Sequence, residues 1–200
     1  MNIRLMVGIL PALLLLVPSL SVAASDSPCN KYRPLVQREM NLRFGYNASA
    51  PVFAGLLKQE SSCNPWATNK ADGGAGVCQL TGANNIRWIA EQTGMPIDPY
   101  NPSQAIPACI WLLKFNYSKL QAKDDCNRMA MSLKAFNSGV GWVLKAQKLS
   151  LDPQTWWGVT ENINAGQSVM NFDYSRAYPH KIIEKHQLNF ASWGRTLCLK

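Results

Sequence analysis

The sequence predicts a mainly α-helical single domain that follows a cleavable leader and is stapled by disulfide bonds. Apolar residues recur at three- and four-residue steps through most of the chain, which is the period of an amphipathic helix. Alternating apolar and polar residues are scarce, so we expect at most a small sheet. All six cysteines follow the leader, and an even count is typical of the disulfide frameworks of exported proteins.

Residues 1–24 have the pattern of a secretory signal. Arg4 gives a short basic start, residues 5–17 are almost wholly apolar, and small residues close the segment. An N-terminal membrane anchor is the alternative, but the apolar run is shorter than the roughly 20 residues of a bilayer-spanning helix. We therefore expect export to the periplasm or the extracellular space. The domain would occupy residues 25–200, with no stable membrane span after cleavage.

The formal net charge of +8 indicates an attraction to acidic polymers. Cell-wall glycopolymers, anionic membranes and nucleic acid all meet this description. The lysines and arginines are scattered and form no nucleic-acid-binding motif, so we expect no nucleic-acid partner. A basic, disulfide-stapled protein that acts on membranes is a further alternative.

The cysteines favour disulfides over a metal site. There is no Cys-x-x-Cys pair, and His180 and His186 are the only histidines, so we expect neither a metal nor a cofactor. Three disulfides are expected, and two disulfides with a free pair are the alternative. The sequence does not choose among the possible pairings of Cys29, Cys63, Cys78, Cys109, Cys126 and Cys198.

A helix is predicted to begin near Ser49 and to carry Glu60 at its C-terminal end. Ser49 or Ala50 is placed near the cap, and Pro51 suits the first turn. The inward face then carries, at helical spacing, Val52, Phe53, Leu56, Leu57 and finally Glu60. A carboxyl group there faces the negative end of the helix dipole and is poorly hydrated, and both effects raise its pKa. Such a group suits general acid catalysis, whereas the alternative is a glutamate that turns to solvent.

Further helices are predicted after a Gly-rich loop at residues 69–76. In order, they are residues 84–92 closed by Gly94, a long helix from about Gln104, a helix marked by Met129, Leu133 and Phe136, residues 140–149, and a last helix from about Tyr174 to Leu188. We expect Pro107 in or near the first turn of the long helix and a bend at Pro179 in the last one.

Four short segments together resemble the soluble lytic murein transglycosylase family, within the goose-type-lysozyme-like superfamily. They are residues 56–67 with Glu60-Ser61 and Asn64-Pro65-Trp66-Ala67, residues 74–79, residues 135–139 with Ala-Phe-Asn-Ser-Gly, and residues 175–182 with Ser-Arg-Ala-Tyr. They occur in the family's order, between about residues 52 and 183. The resemblance implies a lysozyme-like fold around a sugar-binding cleft, with peptidoglycan glycan strands as the substrate.

The same resemblance implies roles for individual residues. Glu60 matches the family's single catalytic acid and base, and Ser61 would orient its carboxylate or contact the substrate. Gln79 and Asn137 would contact the sugar chain, and turn or helix capping is the alternative for each. Tyr178 would lie close to Glu60 and position it, unless it is only a core aromatic.

Three departures from the family pattern bear on these roles. Phe136 stands where the family often has tyrosine, so we assign it no catalytic role. Cys78 replaces a methionine expected to face the cleft, and it is a candidate disulfide partner of Cys63. Pro179 directly follows Tyr178, which could displace that side chain.

The role of Asp72 decides which of two reactions the protein would catalyse. The family's reaction forms a 1,6-anhydro sugar without water, whereas most glycoside hydrolases use two carboxylates. Asp72 lies in the Gly-rich loop, where related goose-type lysozymes carry an acidic residue, so it could position a water molecule for hydrolysis. The simpler interpretation is an ordinary turn aspartate before Gly73 and Gly74.

A peptidoglycan-binding protein without catalysis is another alternative. The resemblance also makes a secretion or conjugation machinery a plausible partner in local opening of the cell wall. The chain has seven tryptophans, whose rings stack well on sugars, and we expect no more than two of them in the cleft.

Overall fold

The computed structural model describes residues 27–198, and the predicted secretory signal at residues 1–24 lies outside them. The fold is mainly helical, as the sequence predicts. The helices are α1 (Arg33–Phe44), α2 (Ala50–Ser61), α3 (Ala83–Thr93), α4 (Pro102–Lys119), α5 (Asp125–Ser138), α6 (Val140–Leu149) and α7 (Val169–His180). Strands β1 (Thr68–Asn69) and β2 (Gly74–Ala75) pair antiparallel and form the small sheet. Within residues 27–198, no helix is both long enough and apolar enough to span a bilayer.

Helix α2 lies in the centre of the core. The Ser49 hydroxyl accepts a hydrogen bond from the Val52 amide at 3.3 Å, which satisfies a free N–H of the first turn. The apolar side chains of the predicted inward face are fully buried. Gly55 allows the C-terminal segment to approach closely, because a β-carbon there would lie 3.0 Å from the Gln187 amide nitrogen.

Helix α4 begins slightly earlier than predicted. The Asn101 side chain caps it by accepting a hydrogen bond from the Ser103 amide at 3.0 Å, and Pro102 occupies the first turn. Pro107 lies in the second turn, near the start of the helix as predicted. The missing N–H of Pro107 leaves the Ser103 carbonyl without its helical partner, which is tolerated near a helix end. Helix α1 had no predicted counterpart.

The last predicted helix is wrong at both ends. Helix α7 begins at Val169, where Ser168 caps it, and it changes to a π-helical turn at Lys181–Lys185. A 3-10 segment with a kink at Phe190 follows, at His186–Trp193. Pro179 has no N–H to donate to the Ser175 carbonyl, so the regular series of helical hydrogen bonds is interrupted there. This interruption accounts for the change of helix type after α7.

Two disulfides close the fold instead of the expected three. Cys29 bonds to Cys63, and Cys126 bonds to Cys198, each with α-carbons 5.2 Å apart. Cys78 and Cys109 are free and buried, so the alternative of two disulfides with a free pair is the one observed. The suggested Cys63–Cys78 bond is wrong because Cys63, at the end of α2, faces the N-terminal segment.

Candidate active site

Glu60 lies in the last turn of α2, half-buried, on the face that looks toward α7. The helix ends one residue later, and Ser62 takes a left-handed conformation with φ of 52°. The Ser62 amide donates to the Lys58 carbonyl at 3.0 Å, which closes the last turn. The carboxyl group of Glu60 is thus fixed by the end of a buried helix and not by a free loop.

Tyr178 of α7 donates a hydrogen bond from its hydroxyl to Glu60 Oε1. Only 1% of Tyr178 is exposed, and burial and the nearby Glu60 charge raise the pKa of its hydroxyl well above the usual value. The tyrosine therefore acts as a neutral donor that holds one carboxyl oxygen. Pro179 does not displace the Tyr178 side chain, because both residues lie within α7. The backbone changes to π-helix only after them, at Lys181.

The pKa of Glu60 is raised to about 7. Burial of the carboxyl group is the largest cause, and the negative charge of Asp72 adds to it. The hydrogen bond from Tyr178 acts in the opposite sense, because it stabilises the ionised form. At neutral pH a substantial fraction of the molecules therefore carry a protonated Glu60, which can donate its proton to a leaving oxygen.

The Gly-rich loop forms the hairpin of β1 and β2, and its residue Asp72 acts electrostatically on Glu60. Asp72 is exposed, and its Oδ1 accepts a hydrogen bond from the Gly74 amide at 2.9 Å. Asp72 therefore fixes the turn, as the simpler interpretation expects, and also lies close enough to act electrostatically on Glu60. Gly76 packs directly on the Pro99 carbonyl, since a β-carbon at Gly76 would lie only 1.6 Å from that oxygen.

Ser61 and Gln79 hold this loop in place. The Ser61 hydroxyl donates to the Val77 carbonyl at 2.8 Å, which ties the end of α2 to the loop. The Gln79 amide donates to the carbonyls of Ala67 at 3.1 Å and Gly76 at 2.9 Å. Both side chains thus position the wall of the site, and direct contact with the sugar remains a prediction for each.

Asn137 lies half-buried near the end of α5. Within residues 27–198, no hydrogen bond to a protein group engages its side chain, so the amide is available to an incoming ligand. The helix ends at Gly139, which has φ of 91° and caps α5 through an amide bond to the Ala135 carbonyl.

A pair of buried thiols near Glu60 was not predicted. Cys78 is buried instead of facing the cleft, and its sulfur contacts the Ala105 carbonyl at 3.8 Å. Cys109, one turn further along α4, lies close enough to Cys78 for the two thiols to interact. Burial, then Cys78, then the Glu60 charge raise the pKa of the Cys109 thiol well above its usual value. The helical spacing of Cys109 predicts its burial, but nothing in the sequence relates it to Cys78.

Comparison with known proteins places the chain in a family. No curated protein matches the chain. The family model described as the transglycosylase SLT domain matches residues 43–157, a range that holds Glu60, Asp72 and Asn137 but ends before Tyr178. Since this match covers more than half of the chain, the protein belongs to the transglycosylase SLT domain family, whose domain indicates lytic cleavage of peptidoglycan.

Proposed function

We propose that the protein is a lytic transglycosylase in which Glu60 is the single catalytic acid and base. The bond cleaved is the β-1,4 bond between N-acetylmuramic acid and N-acetylglucosamine, and the product is a 1,6-anhydro-muramic sugar. The observation that carries the proposal is the pKa of Glu60, raised to about 7 by burial at the end of α2. A carboxylic acid with this pKa suits proton transfer in both directions near neutral pH.

In the first step Glu60 donates its proton to the glycosidic oxygen. The bond between that oxygen and C1 of the muramic sugar breaks, and the electron pair leaves with the oxygen as a hydroxyl of the departing sugar. Positive charge develops at C1. Tyr178 holds Oε1 of Glu60, so Oε2 is the oxygen left to face the substrate.

In the second step the sugar's own C6 hydroxyl attacks C1. The ionised Glu60 accepts the proton that this hydroxyl loses, and the acid is regenerated. No water is consumed, so a second carboxylate is not required. Asn137 would contact the substrate through its side-chain amide, and Ser61 and Gln79 act by holding the Gly-rich loop.

Hydrolysis is the second candidate, and it is supported by a second carboxylate, Asp72, that lies close enough to act electrostatically on Glu60. An inverting hydrolase needs a second carboxylate that activates water on the opposite face of the sugar. Asp72 is exposed, but its Oδ1 is engaged by the Gly74 amide, which leaves Oδ2 for such a role. A binding protein without catalysis is the remaining alternative.

Clearing of a suspension of purified peptidoglycan tests the proposal. We expect clearing by the wild-type protein and at least a roughly hundredfold slower rate for Glu60→Gln, which is similar in shape but cannot donate a proton. Asp72→Asn should keep most of the activity. Loss of activity in Asp72→Asn with an intact fold would support hydrolysis, and inactivity of the wild type would support the binding protein.

We also propose export and a role in local opening of the cell wall. The leader pattern of residues 1–24 supports export to the periplasm or the extracellular space. Secretion or conjugation machineries need such openings, which makes them candidate partners. Fractionation of cells that produce the full chain tests the location, and retention of the uncleaved protein in the cytoplasm would contradict it.

A further inference from the structure

Trp66 is the one tryptophan within residues 27–198 that is mostly exposed, with 73% of its surface in solvent. Its ring lies nearly parallel to that of Tyr100, with centroids 6.2 Å apart and an angle of 18° between the planes. Two near-parallel aromatic rings at the surface offer a flat apolar face with polar edges, the form that stacks against the apolar face of a sugar ring.

Both rings lie on turns that are fixed by hydrogen bonds. The Trp66 amide donates to Asn64 Oδ1 at 3.0 Å, directly after Cys63, which is bonded to Cys29. The Tyr100 amide donates to Asp98 Oδ1 at 2.9 Å. A surface held in place before binding loses little conformational entropy when a ligand arrives, which favours affinity.

The segments that carry Trp66 and Tyr100 contact the Gly-rich loop directly. The carbonyl of Ala67, the residue after Trp66, accepts hydrogen bonds from the Gly76 amide at 2.8 Å and from the Gln79 side chain at 3.1 Å. On the Tyr100 side, Gly76 packs against the Pro99 carbonyl. The aromatic pair is therefore built into the same wall of the site as Asp72.

We propose that Trp66 and Tyr100 form a platform that stacks on a sugar residue of the glycan strand, beyond the bond that is cleaved. The identity of the sugar chain rests on the proposed function. A continuous polymer that reaches Glu60 must also run along the adjoining protein surface, and this pair is joined to the Glu60 site through Gly76. The platform adds affinity for the strand and takes no part in proton transfer.

Binding of N-acetylglucosamine oligomers to the inactive Glu60→Gln protein tests the proposal, with titration calorimetry as the readout. We expect Trp66→Ala in this background to weaken binding by roughly three- to tenfold, the scale of one aromatic stacking contact. Trp66→Phe should restore most of the affinity, because it keeps a flat ring. Tyr46→Ala is the matched control, since Tyr46 is 96% exposed and takes no part in the site, and it should bind like the parent protein.

The outcomes separate this proposal from the proposed function. Equal affinity of the Trp66→Ala and parent proteins for the oligomers would overturn the platform, even if the wild type clears peptidoglycan. Oligomer binding that depends on Trp66 in a protein that clears no peptidoglycan would retain the platform and reject the proposed catalysis. An equal loss of affinity in Tyr46→Ala would also overturn the platform, because the effect would not be specific to this wall.

Discussion

Glu60 is subject to opposing influences on its pKa. Burial and the negative charge of Asp72 favour the protonated form, whereas the Tyr178 hydrogen bond favours the carboxylate. Burial is the largest of these causes, so the pKa stays well above the ordinary value for glutamate. The tyrosine restrains this rise in pKa, which in the proposed mechanism keeps Glu60 able to give up its proton.

Activity should depend on pH through this carboxyl group. Because the first step needs the protonated acid, kcat/KM should fall as pH rises through about 7.

The free energy of unfolding should change with pH in the same direction as the activity. The folded state binds the Glu60 proton more tightly than the unfolded chain does. The stabilisation that this proton gives is therefore full below pH 4.5 and is lost as pH rises toward about 7. Rates and urea unfolding measured from pH 4 to 9 check both, with Glu60→Gln as the control that should lack this stability change.

Tyr178→Phe should shift that pH profile upward. The substitution keeps the ring in the core but removes the donor that lowers the pKa of Glu60. We expect the alkaline fall in kcat/KM to move to higher pH, and the maximal rate to decrease about tenfold because the carboxyl group loses its orientation. An unchanged pH profile would show that the hydrogen bond does not act on Glu60 in solution.

The site residues were predictable to different degrees. The inward-facing position of Glu60 followed from its place at the end of an apolar helical stripe, because local periodicity determines which face is buried, whereas its role as an acid rests on the family resemblance. Tyr178 is 118 positions away in sequence, and only the family motif related the two. For Gln79, the structure shows the capping alternative, since its side-chain amide donates to carbonyls of the loop.

At the scale of elements, the Gly-rich loop and the segment before α4 form one packed unit. Gly76 has a φ of 73° and contacts the Pro99 carbonyl so closely that no side chain fits. This contact therefore fixes the Gly-rich loop against the segment before α4. The small size of Gly76 is a condition for the geometry of the site.

Gly76→Ala should destabilise the protein strongly. The new β-carbon would overlap the Pro99 carbonyl in addition to the cost of a left-handed alanine, so we expect a loss of at least about 2 kcal/mol in the free energy of unfolding. Gly73→Ala is the matched control, with φ of 77° but no atom within 4 Å of the added carbon. It should lose only about 1 kcal/mol. Equal losses in urea unfolding would contradict the close approach.

The helices were predictable where local signals agreed. For α2, a serine cap, a proline in the first turn and a buried stripe all indicate the same boundaries. In the C-terminal region the apolar spacing continues past Pro179, so the pattern predicts one bent helix. The backbone instead changes to π- and 3-10 turns, because the hydrogen bond that proline cannot make is a constraint that periodicity does not represent.

For the whole molecule, the two disulfides join distant parts of the chain. Cys29–Cys63 fastens the N-terminal segment to the end of α2, and Cys126–Cys198 fastens α5 to the C-terminal segment. Their pairing could not be predicted from the sequence, because it depends on which chain ends meet after α2 and α5 have packed. The export prediction only indicates that disulfides form.

Removal of the Cys126–Cys198 bond should cost about 2–5 kcal/mol in the free energy of unfolding. It closes a sequence separation of 72 residues, against 34 for Cys29–Cys63. The chain-entropy model therefore predicts that it contributes roughly 0.7 kcal/mol more. Paired Cys→Ala variants for each bond, compared by urea unfolding, check the order. A smaller loss for the longer loop would show that native-state strain or packing outweighs chain entropy.

The most direct measurement of the central claim is mass spectrometry of peptidoglycan fragments released by the wild-type and Glu60→Gln proteins. A single acid with an internal nucleophile predicts fragments that end in 1,6-anhydro-muramic acid, one water lighter than hydrolysis products, from the wild type only. Fragments with ordinary reducing ends, lost in Asp72→Asn, would contradict the claim and indicate a hydrolase with two carboxylates.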